Sequence, residues 1–258
     1  MPNPNYDDAQ TGGVMLDTLN LMLLLDNSYS MEGSRIAQVN NAIPTLKNVL
    51  LDIEKEYKVK ILLRIVAFSD QAVWKVGSVE QGVPVADFSW EDLKVVGGTR
   101  TDLAVLEAEK VHHRKNLTAK ENTQILRPVV ILLTDGYCNP SNHADYLSAI
   151  AELKKCLTGG NPEKDKITRV AIGVKDYNES ELVEFASPAR IKDAGQQTPS
   201  TPLVFPVKDV ESLGKLIEWL IPQSVISSIV HNANPNTDPN VIEFPTPPAD
   251  IIGDGTIL

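Results

Sequence analysis

Three short segments carry the residue types that could do chemistry. Asp26-Asn27-Ser28-Tyr29-Ser30 follows a run of apolar residues. An Asp with two hydroxyls spaced by two, on a loop, can turn three oxygens toward one point. Gly97-Gly98-Thr99-Arg100-Thr101-Asp102 precedes a helical pattern and offers further hydroxyls, and Thr134-Asp135-Gly136 follows a second apolar run. Asp26, Ser28, Ser30, Thr99 and Asp135 make an all-oxygen donor set. Hydroxyls with few carboxylates, completed by water, suit a hard cation such as Mg²⁺ or Mn²⁺. Any one of these residues alone reads as an ordinary turn or cap residue. Their joint position just past buried strands is what points to a site, because parallel α/β sheets bind ligands at the carboxyl ends of their strands.

Other chemistries fit less well. A Mg²⁺-dependent hydrolase or phosphotransferase is the alternative. A phosphoaspartate enzyme would carry a second Asp two residues after the first, where this chain has Ser28, and no Gly-rich loop with Lys-Ser/Thr occurs. No His or Glu is placed by motif as a general base. His112 and His113 are adjacent on a helical pattern, about 100° apart, and cannot grip one metal together; surface positions are expected for both. His143 could approach the third segment, but a polar residue in a first helical turn needs no function. Cys138 reads as a bystander thiol, and Trp219 as core.

The elements that must hold these loops are legible as alternating strands and helices. Leu19 to Leu25 is short and nearly all apolar, as a buried strand is. Ile36, Val39, Ile43, Leu46, Leu50 and Ile53 follow steps of three and four, with Ser34 as cap and Pro44 as an expected kink. Val59 to Ser69 is β-rich, with Ala72 to Val76 as a returning partner and 77–98 mostly loop. A helix is predicted from near Asp102, a strand at Val129 to Leu133, a helix through Leu147 to Leu157, a strand at Val170 to Val174 and a short helix at Glu179 to Phe185. Residues 187–202 read as a Pro/Gln/Thr loop, and Leu203 to Phe205 as the last strand. A helix capped by Asp209 runs through Ile221. Strands alternating with helices mean a parallel sheet covered on both faces, an α/β fold.

Residues 1–17 read as an N-terminal arm, 18–230 as one domain, and 231–258 as a tail. The tail holds five of the 17 prolines and four acidic residues with no Lys or Arg. It is expected to extend outside the core; the rival expectation is docking through Val241 to Phe244 or Ile251-Ile252. Net charge is −10, which argues against nucleic acid or an anionic membrane as partner. The apolar run Leu21 to Leu25 falls far short of the roughly 20 residues a membrane-spanning helix needs, and no such span is expected. The first basic residue is Arg35, so no basic leader region is evident. With only two cysteines, a reducing, cytoplasmic setting is expected.

Asp26-x-Ser28-x-Ser30, Thr99 after Gly97-Gly98, and Asp135-Gly136, in that order, resemble the von Willebrand factor type A (vWA) domains that carry a complete metal-ion-dependent adhesion site. The likeness spans about residues 19–230. Ser28-Tyr29-Ser30-Met31, Ile43-Pro44 and Ile217-Glu218-Trp219-Leu220 are most similar to cytoplasmic bacterial members, the tellurite-resistance TerY-like proteins. The resemblance implies a Rossmann-like sheet of order 3-2-1-4-5-6 with strand 3 antiparallel. It implies that Ser28 and Ser30 ligate the metal directly, Thr99 directly or through water, and Asp26 and Asp135 mainly through water. Tyr29 stands where the family often has Gly. The function implied is adhesion: a partner protein, for TerY-like relatives a protein phosphatase or kinase among others, supplies a Glu or Asp to the metal, in a stress-response or tellurite-resistance setting and without catalysis.

Overall fold

The structure is a computed structural model. It describes residues 16–113, 124–135, 138, 140–157, 166–175, 177–193, 196–197, 200–207, 209–233, 238, 241–248 and 251. Nearly all of the predicted N-terminal arm, Gly136 and Ile252 lie outside these residues.

The chain begins with β1 (Asp17–Asp26), followed by α1 (Ser34–Tyr57), β2 (Val59–Phe68), β3 (Ala72–Val76) and the two-residue β4 (Val83–Pro84). Next come α2 (Thr101–His112), β5 (Val129–Thr134), α3 (His143–Lys155), β6 (Thr168–Val174) and α4 (Glu179–Phe185). The last part holds β7 (Pro188–Asp193), β8 (Gln196–Gln197), β9 (Thr201–Pro202), β10 (Val204–Val207), α5 (Val210–Ala233) and β11 (Ile242–Pro245). The main sheet runs β3-β2-β1-β5-β6-β10, with β4 also paired to β2. Pairing is parallel except for β3 and β4, which run antiparallel to β2. This is the 3-2-1-4-5-6 order with strand 3 antiparallel.

The period-2 alternation of β1 explains the two faces. Leu19, Leu21, Leu23 and Leu25 pack in one core with Val39, Ile43, Leu46 and Leu50 of α1 and Leu213, Leu216 and Leu220 of α5. Met22 and Leu24 pack in the other, with Ala104 and Val105 of α2, Ile150 and Leu153 of α3, and Leu182 and Phe185 of α4. Each buried Leu contributes roughly 1.5–3 kcal/mol. A one-residue slip of β1 would exchange the two faces, so its register is strongly held. Register places Leu25 beside Leu133, hence Asp26 beside Thr134.

Several expectations need correction. The segment 187–202 is not simply loop: β7 pairs with β8, β9 and β11 in a second small sheet. Part of the predicted tail is packed, because β11 lies parallel to β7 and buries Ile242 and Phe244 completely. The Phe244 ring stands 5.6 Å from Phe205 and 6.0 Å from Trp219. The boundary drawn after Val230 falls inside α5, which runs on through Pro222 to Ala233. By length and composition α5 could cross a membrane, but most of its apolar stretch is buried inside the domain. Ser34 is the first residue of α1 rather than its cap; Gly33 is the cap, with φ of 82°. His112 is not on the surface but fully buried.

Candidate metal centre

β1 is the point at which chain order reverses in the sheet. β2 and β3 lie on one side and β5, β6 and β10 on the other. At such a switch the loops leaving neighbouring strands diverge and open a crevice. Asp26 ends β1 and Asp135 directly follows β5, so the two carboxylates flank that crevice.

The first loop turns back on itself at once. Asp26 Oδ1 accepts the Ser28 N–H at 2.8 Å, and Tyr29 to Met31 form a short 3₁₀ turn. That curl brings the Ser28 and Ser30 hydroxyls to 2.8 Å of each other. Ser30 Oγ donates to Asp135 Oδ1 at 2.6 Å, and Thr134 Oγ1 donates to Asp26 Oδ2 at 2.6 Å. Four of the five predicted ligands, Asp26, Ser28, Ser30 and Asp135, are therefore joined in one hydrogen-bonded cluster. Asp26 is fully buried, and burial pushes its carboxyl up to about 6 against the lowering effect of the Ser28 and Thr134 hydrogen bonds. A buried carboxylate in that condition favours a cation brought close to it.

The second loop is stitched to the first through backbone groups. Asn27 Nδ2 donates to the Lys94 carbonyl at 2.8 Å, Val96 N–H to the Asn27 carbonyl at 2.8 Å, and Tyr29 N–H to the Gly97 carbonyl at 3.1 Å. Asp70, just past β2, holds the Gly-Gly pair: Gly98 N–H donates to its Oδ1 at 2.9 Å. Gly97 has φ of +62°, and a Cβ there would lie 2.1 Å from Asp70 Oδ2. The glycine is required both by the backbone and by the close approach. Thr99 follows, half-buried, between Gly98 and an Arg100 N–H that donates to the Ser69 carbonyl at 2.7 Å. These bonds tie the second loop to the first, but the Thr99 hydroxyl makes no hydrogen bond to the other four predicted ligands. Asp102 is taken up by Arg100, whose guanidinium bonds both its oxygens at 2.9 and 2.7 Å.

Arg35 was missed as a site residue. Its Nη1 donates both to Asp135 Oδ2 and to the Ser30 carbonyl. The only sequence signal is its place in the first turn of α1, nine residues after Asp26. Asp70 and Thr134 likewise shape the site; Thr134 had a signal, since it ends the strand whose next residue is Asp135. Cys138 is buried and its thiol is pushed up to about 11 by burial, as an inert packing thiol is. His143 Nδ1 pairs with Glu181 at 3.2 Å and is not in the cluster. Among the described residues no three His, Cys, Asp or Glu side chains converge to hold a metal. The candidate cluster differs in kind, with two carboxylates and neutral hydroxyls. Two observations fit it to a divalent ion: the donors are all oxygen, and a cation from the chain's own Arg35 already sits on Asp135 and Ser30.

Comparison with known proteins agrees with the fold. The von Willebrand factor type A domain profile matches residues 20–219, and the chain belongs to that family. Among solved structures it is similar to a von Willebrand factor type A protein from Catenulispora acidiphila (16% identity, TM-score 0.56, covering 81% of this chain and 43% of that one). It is also similar to the ArnB paralog VWA2 from Sulfolobus acidocaldarius (16%, TM-score 0.50, 80% and 45%). A third likeness is to proximal thread matrix protein 1 from the mussel byssus, solved with a zinc-occupied MIDAS motif (20%, TM-score 0.47, 81% and 46%). The chain spans less than half the length of each of these solved chains. vWA domains are commonly protein-interaction modules.

Proposed function

We propose that this vWA domain is a divalent-metal-dependent protein-interaction module. In this reading Asp26, Ser28, Ser30, Thr99 and Asp135 hold one Mg²⁺ or Mn²⁺, and a Glu or Asp of a partner protein completes its coordination. The observation that carries the reading is the cluster itself: two loops 105 residues apart in sequence meet through the Ser30–Asp135 bond, with Ser28 2.8 Å away. Ligands that are mostly neutral hydroxyls leave the ion with unspent charge, and Mg²⁺ keeps waters where protein oxygens do not reach. A partner carboxylate replacing one water makes a strong, directional contact. Tyr29, 66% exposed, and Val96, 48% exposed, stand on the first and second of the three loops and supply apolar surface for that partner. No catalytic residue is assigned. A TerY-like role beside a phosphatase or kinase, and a cytoplasmic setting for a chain with two buried free thiols, belong to the same proposal.

The test has two arms. Calorimetric titration with Mg²⁺ or Mn²⁺ should show one ion per chain, lost in Asp26→Ala and in the Ser28→Ala, Ser30→Ala pair. A native partner should bind in Mg²⁺ and lose on the order of 30- to 5,000-fold in affinity in chelator, matching about 2–5 kcal/mol for one truncated charge contact. No ion bound by the parent chain overturns the metal site. An ion bound with equal partner affinity in chelator leaves the site standing and removes its adhesive role.

A further inference from the structure

We propose that Arg35 is an internal cation that competes with the metal and sets the concentration at which the site loads. This rests on the metal reading above. A salt bridge beside a binding loop would ordinarily be read as structural. Here the guanidinium takes the groups the ion needs. Asp135 has two oxygens: Oδ1 accepts the Ser30 hydroxyl, and Oδ2 accepts Arg35 Nη1. The same Nη1 also binds the Ser30 carbonyl. Its two hydrogens therefore span the two residues that close the site between the first and third loops. The pair is shielded, with the Arg35 side chain 18% exposed and that of Asp135 only 1%, so solvent screens it weakly.

A dication held by the Ser28 and Ser30 hydroxyls would share Asp135 with that guanidinium at a few ångströms. Like charges at that range in a partly buried site repel strongly. Metal entry and the Arg35–Asp135 pair are therefore alternatives. The displaced side chain has somewhere to go. Arg35 already borders a cleft of about 250 Å³ between the start of α1 and the ends of β6 and β10, walled by Val174, Val207, Asp209 and Lys175, one carboxylate and one ammonium of opposite charge. Asp209 is exposed and presents a carboxylate there, already bonded to Ser212 at the start of α5. The metal-free site is thus held closed by an arginine that the ion evicts toward that cleft.

Linkage makes the idea quantitative. A contact present only in the metal-free state stabilises that state and weakens metal binding by the same free energy. Arg35→Met keeps the apolar stem and removes every donor. It should tighten Mn²⁺ binding on the order of tenfold, equal to about 1.4 kcal/mol. Its metal-free melting temperature should fall by about 3–6 °C, the same free energy for a domain of this size. A structural role would weaken both stability and metal binding; competition moves them in opposite directions. Arg35→Lys keeps the charge without the fork, so it should show the same signs at smaller size, and it keeps the test open if the Met variant does not fold. Lys55→Met makes the same charge change at the far end of α1 and should leave affinity unaltered.

The experiment is calorimetric Mn²⁺ titration and metal-free thermal melting of the full chain and these three variants. Unchanged or weaker Mn²⁺ affinity in Arg35→Met (or, if that variant does not fold, in Arg35→Lys), or equal tightening in Lys55→Met, overturns the competition while leaving the metal site intact. Absence of Mn²⁺ binding in the parent chain and in the Arg35 variants overturns the metal reading and this inference with it.

Discussion

Gly97→Ala is a sharp test of how the second loop is held, because both parts of its effect can be worked from geometry. The backbone at Gly97 has φ of +62°, where an L-residue costs roughly 1–2 kcal/mol. The added methyl would lie 2.1 Å from Asp70 Oδ2 and 2.6 Å from its Cγ, so Asp70 must move. Moving it breaks the bond from Gly98 N–H at 2.9 Å. That bond is solvent-accessible, so its loss costs about 0.5–1.5 kcal/mol. The total is about 1.5–3.5 kcal/mol, or a melting temperature lower by roughly 3–14 °C for a domain of this size. A double-mutant cycle with Asp70→Ala separates the parts. With the carboxylate gone the severe contacts vanish and only Asp70 Cβ stays near the methyl, at 3.3 Å, so Gly97→Ala in that background should cost mainly the backbone strain, about 1–2 kcal/mol. The assay is thermal melting and urea unfolding of the four proteins, with Mn²⁺ titration of each to follow Thr99. A melting temperature within 1 °C of the parent would refute the strain argument. Strict additivity in the cycle would refute the claim that Asp70 is what the methyl meets.

Two further outcomes follow from burial. Phe244→Ala should destabilise the fold by about 3–5 kcal/mol, since Phe244 is fully buried against Phe205 and Trp219; a loss under 1 kcal/mol in urea unfolding would show that β11 is not docked in solution. His112 donates from Nδ1 to the Ala108 carbonyl at 2.7 Å, and burial lowers its pKa to about 4. Its folded pKa lies below the usual 6.5, so the unfolded chain takes the proton first and stability is lost as pH falls from about 6.5 through 4, by about 3 kcal/mol in all at 1.36 kcal/mol per unit. His112→Leu should flatten that part of the stability–pH curve, and an unchanged slope between pH 7 and 4.5 would exclude His112 as its source.

What could be read in advance divides along physical lines. The strands of the main sheet announce themselves because they are buried on both faces and end abruptly in polar loops, as at Leu25-Asp26 and Leu133-Thr134. Asp26 and Asp135 stand out for the same reason, since each closely follows the apolar run of a buried strand, whereas Thr99 lies in a loop before α2. Strand order is not in the local pattern; it came from family resemblance. The end of α5 was hidden because Pro222, Ser224, Ser227 and Ser228 break the apolar stripe. Yet Ser224 bonds the Leu220 carbonyl at 2.7 Å and Ser228 the Arg127 carbonyl at 2.5 Å, so small hydroxyls are buried there already satisfied. β7, β9 and β11 were hidden because Pro188, Pro202 and Pro245 argue against strands, although Pro is tolerated at strand ends and edges.

The groups that balance the site were the least legible, and the reason is general. A ligand loop needs its residues close together on the chain, so spacing reveals it. A counter-charge needs only to be close in space. Arg35 meets Asp135 across 100 residues and Asp70 meets Gly98 across 28, and in each case the partner lies on another element whose position only the assembled sheet decides. Reading the donors alone therefore yields a cluster of unopposed negative charge, without the guanidinium that the folded chain sets on Asp135. The folded chain sets its own cation, Arg35, on Asp135, so under the proposed metal reading the site's affinity is a difference between two cations' claims on that carboxylate. Variation at position 35 would then alter metal loading with Asp26, Ser28, Ser30, Thr99 and Asp135 all unchanged.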